Sequence, residues 1–306
     1  MAESTPRETE IWAVGGGKGG VGKSFVISNV AQHLARSGRR IVLVDADLGG
    51  ANLHSFFGVE RPETTLSDFF EKSAPLESLI IETGIPNLGL LVGALDSLGT
   101  DHIPFSQKMK LFRHIRKLDA DFILIDIGAG THFHAVDSFL LADTLIAVVV
   151  PEIIAIENLY YFFKNVYYRK LVRTMAENGQ KTLIAEVWKN RQKLGIGSVR
   201  QLAEHLQSRS QEAGKIVASA IRELRFNIVV NKIRRRQDIK VGYAVKSICS
   251  KYFGLMAAYS GYIEYDELVS WCINKRRPYL QSHSGSRCSG QLEAVAENLV
   301  QGRAMR

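Results

Sequence analysis

One short segment near the start of the chain combines glycines with two lysines and a serine. Residues 17–24 read GKGGVGKS and match the pattern GxxxxGK[ST], after an apolar run and at the start of a helical pattern. Glycines allow a tight turn in which successive N–H groups point at phosphate oxygens, and the helix N-terminus adds its positive end. The segment predicts a phosphate-binding loop, with Lys23 reaching the β- and γ-phosphates and the Ser24 hydroxyl binding Mg²⁺. A tight turn with an unrelated lysine is the alternative.

Three acidic residues stand at the ends of two other apolar runs. Asp45 and Asp47 end the run IVLVDAD, and Asp126 ends the strand-like part of FILIDIG. In an open α/β sheet, ligands collect at the carboxyl ends of the strands, so the three acids should converge on the edge that carries the loop. Mg²⁺ prefers oxygen ligands and keeps several waters, and acids placed in this way often hold it through water. Each aspartate alone could be an ordinary turn residue.

The elements that must position these residues follow from the alternation of apolar runs and helical patterns. Helical spacing of apolar residues covers 25–37 and 105–118. Strands alternating with helices predict an α/β fold, a doubly wound and mainly parallel sheet flanked by helices, as in P-loop NTPases. Most of the strand-like runs are continuous rather than alternating, which is typical of strands buried on both faces. The runs are IWAV from 11, IVLVDAD from 41, LGLLVG from 88, FILIDIG from 122, TLIAVVV from 144, FNIVVN from 226 and YSGYI from 259.

One interval breaks this alternation. More than 70 residues separate VVVPE from FNIVVN, where a single crossover helix needs far fewer. We predict two or three helices there, at about 156–177, 181–207 and 209–224. Residues 164–225 carry 13 Lys or Arg against 5 Glu, which equals the net charge of +8 of the whole chain. The chain is therefore predicted to be a single domain, 1–306, with a basic helical insertion at 156–225.

The overall composition bounds the class of protein. At 306 residues and 46% hydrophobic content, the chain can bury a sizeable core. No apolar run approaches the roughly 18 residues of a membrane span, and the first ten residues lack the features of a signal peptide, so we expect a cytoplasmic protein. Cys249, Cys272 and Cys288 are far apart, which argues against a disulfide framework or a zinc or iron–sulfur site.

Several segments also resemble a known family. KGGVGKS has a lysine directly after the first glycine of the motif and resembles the deviant Walker A box of the MinD/ParA ATPases. VDADLGGANL is similar to the switch I of that family, LIDIGAG to its Walker B and switch II, and VVNKI to its adenine-reading strand end. The resemblance covers about 1–150 and 226–300 in matching order. DLGGANLHSFFG and the segment from YSGYIEYD onward are most similar to the FlhG/FleN flagellar-number regulators and to MinD.

The resemblance implies roles for the residues of the loop. Lys18 is the signature lysine, which crosses a dimer interface to the phosphates of the other subunit. Lys23 and Ser24 serve the nucleotide of their own subunit. The remaining residues of the nucleotide cradle are Gly17, Gly19, Gly20, Val21, Gly22 and Phe25.

It implies roles for the strand-end residues as well. Asp47 polarises the attacking water, Asp45 and Asp126 hold the hydrated Mg²⁺, and Asn231 reads adenine. Two ATP molecules are then sandwiched between the subunits of a homodimer, and their hydrolysis releases the subunits. Departures from the family are Glu264, where a proline is usual, and a basic insert longer than that of MinD.

The function implied is an ATP-binding and slowly ATP-hydrolysing dimerisation switch that controls the placement or number of a structure such as the flagellum. A protein partner or activator would stimulate it, and it would be cytoplasmic, with the inner membrane as a peripheral site. The alternative is a ParA-like partition ATPase that binds non-specific DNA through the basic insert. An iron–sulfur carrier on the same fold needs bridging cysteines, and a tyrosine kinase a C-terminal tyrosine cluster; the sequence has neither.

Four further features each have two interpretations. The aromatic and basic stretch LYYFFKNVYYRK from 159 could contact bases or a membrane, or pack its aromatic side chains in the core. The basic runs IRRRQDIK from 233 and NKRRPY from 274 could touch phosphates of DNA or lipid, or be solvated loops. The apolar stripe at 292–300 could contact a membrane or be the last core helix. His132 and His134 could bind a metal or, as exposed switch residues, a partner.

Overall fold

The architecture is an α/β sheet with flanking helices. The computed structural model describes residues 9–47, 51–93, 105–128, 130 and 133–305, with the backbone alone at 105, 108, 133 and 134. The described strands are β1 (Glu10–Gly15), β2 (Ile41–Asp45), β3 (Ile81–Glu82), β4 (Leu88–Leu91), β5 (Phe122–Asp126), β6 (Thr144–Val149), β7 (Arg225–Ile233) and β8 (Met256–Glu264).

Twelve α-helices occur in the same described part of the chain. They are α1 (Lys23–Arg36), α2 (Leu66–Glu71), α3 (Phe105–Ile115), α4 (Phe133–Phe139), α5 (Ile153–Glu177), α6 (Lys181–Lys189), α7 (Val199–Arg209), α8 (Gln211–Glu223), α9 (Lys240–Ile248), α10 (Glu267–Asn274), α11 (Tyr279–Ser282) and α12 (Arg287–Val300). A π-helical turn, Cys249–Phe253, follows α9.

The strands form one sheet in the order β3-β4-β2-β5-β1-β6-β7-β8. Its strand pairs are parallel except β3 with β4. The predicted doubly wound, mainly parallel fold is confirmed, and each of the seven predicted strands is present. The sequence missed β3, because two residues at a sheet edge leave no periodic signal.

Apolar side chains fill the space between sheet and helices. The strands β1, β2, β5 and β6 are buried along almost their whole length, as their continuous apolar runs predict. One group of helices contains α1 and α12 and a second contains α4 and α5, each packed together against the sheet. Phe139 of α4, Phe162 of α5 and Phe226 of β7 form an aromatic cluster between the helices and the sheet. The ring centroid of Phe139 lies 5.1 Å from that of Phe162 and 6.3 Å from that of Phe226.

The segment between β6 and β7 contains four helices, α5 to α8. The prediction of one helix at 181–207 was wrong, because the chain leaves the helix after Lys189 and re-enters it at Val199. Gly195, in the turn between α6 and α7, adopts a left-handed φ of 67°, which a right-handed helix cannot contain, and Ser198 caps α7 through a reciprocal capping box.

Two of the open interpretations are settled by burial. In the aromatic stretch, Phe162, Phe163 and Tyr167 are buried in the core, whereas Tyr161 is exposed. Their packing role accounts for the aromatic pattern of α5. The stripe of α12 is likewise core, with Leu292, Val295, Ala296 and Leu299 buried. Of the described helices, none is both long and apolar enough to cross a membrane.

Candidate functional site

The loop between β1 and α1 has the backbone shape of a phosphate cradle. Gly20 and Gly22 have φ values of 77° and 90°, a left-handed conformation that side chains rarely adopt. A Cβ on Gly22 would also collide with the Asn231 amide, and one on Gly17 with the Asn158 carbonyl. Glycine is required at these positions, and the loop leads directly into the N-terminus of α1.

Lys23 is the first residue of α1, and its side chain is buried at the loop. Burial lowers its pKa, while the negative charges of Asp126 and Asp47 act in the opposite direction. Burial removes the water that would solvate the Lys23 ammonium group. A bound phosphate would stabilise the charged form of Lys23, as the two carboxylates do.

Two strand-end carboxylates stand side by side across the sheet. Asp45 and Asp126 are paired in the register of β2 and β5. Burial, together with the like charge of Asp126, raises the pKa of Asp45 to about 7. The Asp45 carboxylate accepts backbone N–H bonds from Asp47 at 3.2 Å, Asn52 at 2.8 Å and Leu53 at 3.0 Å, which hold these three residues around it.

Asp126 interacts with two residues of the loop, Ser24 and Lys23. Burial raises its pKa to about 6, against the stabilising effects of a hydrogen bond from Ser24 and the charge of Lys23. Its Oδ1 atom is buried and has no hydrogen-bond partner within the described residues. An orphaned carboxylate oxygen beside a serine hydroxyl is a ligand set of the kind Mg²⁺ prefers, so these residues fit the ion.

Asp47 lies at the same edge, packed on the loop after β5. A Cβ on Gly128 would lie 2.9 Å from the Asp47 carboxyl carbon, so the two loops approach as closely as a glycine permits. Asp47 is half-buried, and its charge acts on Lys23, Asp45 and Asp126. The sheet edge therefore brings together all three predicted acids with Lys23.

Asn231, near the end of β7, contacts the loop directly. Its Nδ2 donates to the Val21 carbonyl at 2.9 Å, and its Oδ1 accepts from the Lys232 backbone at 2.9 Å. Lys232 has a left-handed φ of 58°, and its Nζ donates to the Gly20 carbonyl at 2.8 Å. Sequence reasoning missed Lys232, since nothing in VVNKI signals a left-handed residue.

A cleft of about 480 Å³ opens between these elements. This is within the size range of small-molecule sites, roughly 300–1,000 Å³. Sequence reasoning missed its apolar wall, because the residues come from distant segments and carry no motif. The wall includes Phe56, Tyr265, Val269 and Ile273. Phe25, a predicted cradle residue, also lines the cleft, with its ring buried edge-on against Tyr279.

Lys18 is placed differently from the other site residues. Its Nζ lies 3.0 Å from Glu152 Oε2, just before α5, and both side chains are partly exposed. Gly19 beside it is exposed. Lys18 therefore points away from the cleft of its own chain, while Lys23 and Ser24 line it.

Some predicted features lie elsewhere or outside the structure. His132 is outside the described residues, as are residues 48–50 of the first switch segment, and of His134 only the backbone is described. Among described side chains, no group of three His, Cys, Asp or Glu is arranged to hold a metal. Each cysteine is buried and unpaired.

The chain is similar in sequence and fold to several known proteins. The AAA domain family matches residues 9–178. The septum site-determining protein MinD of Helicobacter pylori is 35% identical over 144 residues, which are 46% of this chain and 53% of that protein. The chain thus spans about half the length of this relative. The antiactivator FleN of Pseudomonas aeruginosa is 25% identical over 293 residues, 95% of this chain and 86% of FleN.

Among solved structures, MinD from Pyrococcus horikoshii complexed with Mg-ADP superposes with a TM-score of 0.66. The alignment covers 95% of this chain and 96% of that one, at 22% identity. At this identity the likeness shows a shared fold.

Proposed function

Because the chain belongs to the AAA domain family, as a P-loop ATPase of the MinD/ParA type, we propose that it binds and hydrolyses ATP as a dimerisation switch. The observation that carries the proposal is the orphaned Asp126 oxygen beside Ser24 and Lys23, at the foot of a glycine cradle. The likeness to FleN over most of both chains favours a role in controlling the number or placement of a structure such as the flagellum.

The residues at the carboxyl edge of the sheet would have different roles in ATP hydrolysis. When bound, Mg²⁺ would neutralise charge on the phosphate oxygens, held by Ser24 and, through water, by Asp45 and Asp126. Lys23 would contact the β- and γ-phosphates, and Asp47 would orient the attacking water. Phosphoryl transfer needs little covalent help from protein, so positioning and charge neutralisation carry the catalysis.

The apolar wall of the cleft is suited to contact a purine base. Val269, Ile273 and Phe56 offer an apolar surface in the same cleft as Asn231, whose amide donates to the loop at Val21. We propose that Asn231 both supports the loop, through Val21, and faces adenine.

Dimerisation would be driven by Lys18. In this proposal Lys18 leaves Glu152 and contacts the phosphates bound by a second copy, so that two ATP molecules are enclosed between two subunits. Hydrolysis would remove the contact and release the copies. A protein activator that stimulates hydrolysis, cytoplasmic residence and a peripheral site on the inner membrane belong to the same proposal.

The first test is ATP turnover by the whole protein and by Lys23→Ala. We expect Mg²⁺-dependent phosphate release from the wild type and none above background from the variant, which should still unfold in one cooperative transition. Equal turnover by the two proteins would refute the assignment of the loop. Lys193→Ala, in the exposed turn between α6 and α7, is the matched control and should hydrolyse ATP normally.

The segment between β6 and β7 supports a second candidate, ParA-like binding of non-specific DNA. We propose that residues 156–225 are inserted into a single domain, 1–306, since β6 and β7 are parallel neighbours in the sheet. Within the described residues, four of its 13 basic side chains form ion pairs: Arg169, Lys170, Arg173 and Arg200. Exposed cations remain at Lys181, Lys189, Lys193, Arg209 and Lys215.

Salt dependence tests this candidate. Each phosphate contact contributes about −0.9 to the slope of log affinity against log salt, so binding through several of these cations falls steeply with salt. A co-sedimentation series with duplex DNA, in ATP and in ADP, should show ATP-dependent binding with such a slope. A flat salt response would exclude the DNA-binding candidate and leave the switch proposal standing.

A further inference from the structure

One ion pair ties the helical segment between β6 and β7 to the helix that follows Asp126. Arg169 of α5 donates from Nε to Asp137 Oδ1 and from Nη2 to Asp137 Oδ2, each at 2.7 Å, and Asp137 belongs to α4. The two side chains are 33% and 11% exposed. A two-point contact between a guanidinium and a carboxylate fixes orientation as well as distance, so this pair sets how α4 lies on α5.

The pair differs from the other ion pairs of the same segment. Within the described residues, Lys170, Arg173 and Arg200 pair with acids of their own segment, and those acids are more than half exposed. Exposed pairs are screened by water and hold no fixed geometry. A carboxylate shielded from water must keep its partner, because losing it leaves a buried charge uncompensated. The contact between Arg169 and Asp137 is therefore the fixed ionic link from this segment to α4.

α4 is also held against the strand that leads into the nucleotide-binding loop. Phe139, at its C-terminal end, is buried and packs edge-on against Phe162 of α5, with ring centroids 5.1 Å apart. A Cβ on Gly15, the last residue of β1, would lie 2.9 Å from a carbon of the Phe139 ring and 2.8 Å from one of the Phe162 ring. There is no slack in this packing, so α4 has one position between α5 and the end of β1.

The position of α4 bears on the catalytic edge of the sheet. β5 ends at Asp126 and α4 begins at Phe133, so residues 127–132 alone join them. A link of this length follows any displacement of the helix to which it is attached. Gly128 belongs to the link, and a Cβ on it would lie 2.9 Å from the Asp47 carboxyl carbon. A displaced α4 would therefore disturb the contact between the link and Asp47.

We propose that Arg169 is a positioning residue for ATP hydrolysis, which acts through Asp137 on α4. A fixed α4 keeps Gly128 packed on Asp47, the residue to which the proposed function gives the attacking water, and the inference rests on that function. Arg169 is not among the residues that line the cleft. Its effect is therefore on the rate of hydrolysis rather than on the affinity for nucleotide.

Steady-state ATP hydrolysis by the whole chain tests this role. Arg169→Gln and Asp137→Asn should each lower kcat about tenfold, because the reacting groups are held less precisely. The KM for ATP and the affinity for a fluorescent ATP analogue should stay within about twofold of the wild type, since the cradle is untouched. The double variant should also lose about tenfold, because both changes remove one contact, whereas independent roles would multiply to about a hundredfold.

The neighbouring ion pair of α5 supplies the matched control. Lys170→Gln/Glu223→Gln removes a pair that joins α5 to α8 instead of α4, and it should keep kcat within about twofold of the wild type. Arg169→Lys is the milder variant, in case Arg169→Gln does not fold. It keeps a positive charge beside Asp137 but cannot make the two-point contact, so it should fold and still lower kcat about threefold or more.

Hydrogen exchange of the nucleotide-free protein gives a readout other than turnover. The backbone amides of α4 should exchange faster in Arg169→Gln than in the wild type, whereas those of α1 should not change. Normal kcat in Arg169→Gln and Arg169→Lys, measured well below their thermal midpoints, would overturn the positioning role and leave the proposed function intact. A wild type without any turnover would instead refute the proposed function, and this inference with it.

Discussion

Lys18 Nζ lies 3.0 Å from Glu152 Oε2, so the lysine assigned to a partner's nucleotide is held by an acid of its own chain. The two side chains are 39% and 60% exposed. An exposed pair of this kind contributes only about 0.2–1 kcal/mol, so it can yield to a triphosphate. Because α5 starts directly after Glu152 and packs on Gly17, the pair also links the loop to that helix.

Glu152→Gln should therefore tighten ATP-driven dimerisation. Removing the competing acid frees Lys18, and a pair of about 0.2–1 kcal/mol corresponds to an increase in dimer affinity of up to about fivefold. Sedimentation velocity in a non-hydrolysable ATP analogue measures this. Glu177→Gln, which breaks the exposed pair with Arg173, is the control and should leave the affinity unchanged. A weaker dimer in Glu152→Gln would contradict the competition.

Asp126→Asn should separate stability from function. Its raised pKa means that the native state binds a proton at Asp126 more tightly than the unfolded chain, so the charged form destabilises the fold as pH rises through about 6. In EDTA at neutral pH, the variant should melt roughly 1–3 °C above the wild type. The difference should shrink as the pH falls through about 6 and vanish only below about pH 4, the ordinary pKa of an unfolded aspartate, because the carboxyl is then neutral in both states.

ATP turnover by the same variant should fall by about 10- to 100-fold or more, since a magnesium-binding oxygen is lost. Asp119→Asn, whose side chain is 85% exposed in the turn before β5, is the matched control for both measurements. A variant that melts lower than the wild type at neutral pH, or that retains full turnover, would contradict the role given to Asp126.

Asn231→Ala should weaken both the protein and its nucleotide site. The change leaves the Val21 carbonyl and the Lys232 N–H without their partner, a loss of about 1–3 kcal/mol. We expect a lower thermal midpoint and at least about tenfold weaker binding of a fluorescent ATP analogue, since the loop loses its support. Asn227→Ala, on the same strand away from the cleft, is the control and should bind the analogue normally. Unchanged analogue binding by Asn231→Ala would contradict the assignment.

Much of the fold was predictable because a strand that is buried on both faces needs apolar residues at successive positions. The strands β1, β2, β5 and β6, which are buried along almost their whole length, have continuous apolar runs bounded by turn residues. The helix pattern at 181–207 misled because apolar spacing continues on either side of Gly195, and periodicity alone does not reveal the break.

The site was predictable where chemistry is local and not where it is assembled in space. The loop motif and the strand-end acids are short segments whose meeting point follows from parallel topology. Lys18 and Glu152 are 134 residues apart, and Lys232 contacts Gly20 across 212 residues, so no spacing rule joins them. The apolar wall that α10 contributes to the cleft consists of Val269 and Ile273. These residue types also occur in any buried helix, so the sequence alone does not distinguish them.

The most direct test of the switch is ATP-driven dimerisation of Lys18→Ala beside Lys23→Ala, measured by sedimentation velocity with a fluorescent ATP analogue in the same cell. The wild type should dimerise with ATP and remain monomeric with ADP. Lys23→Ala should lose nucleotide, whereas Lys18→Ala should bind the analogue within about threefold of the wild type, because its lysine faces away from its own cleft, and stay monomeric. A Lys18→Ala protein that dimerises with ATP as the wild type does would contradict the account.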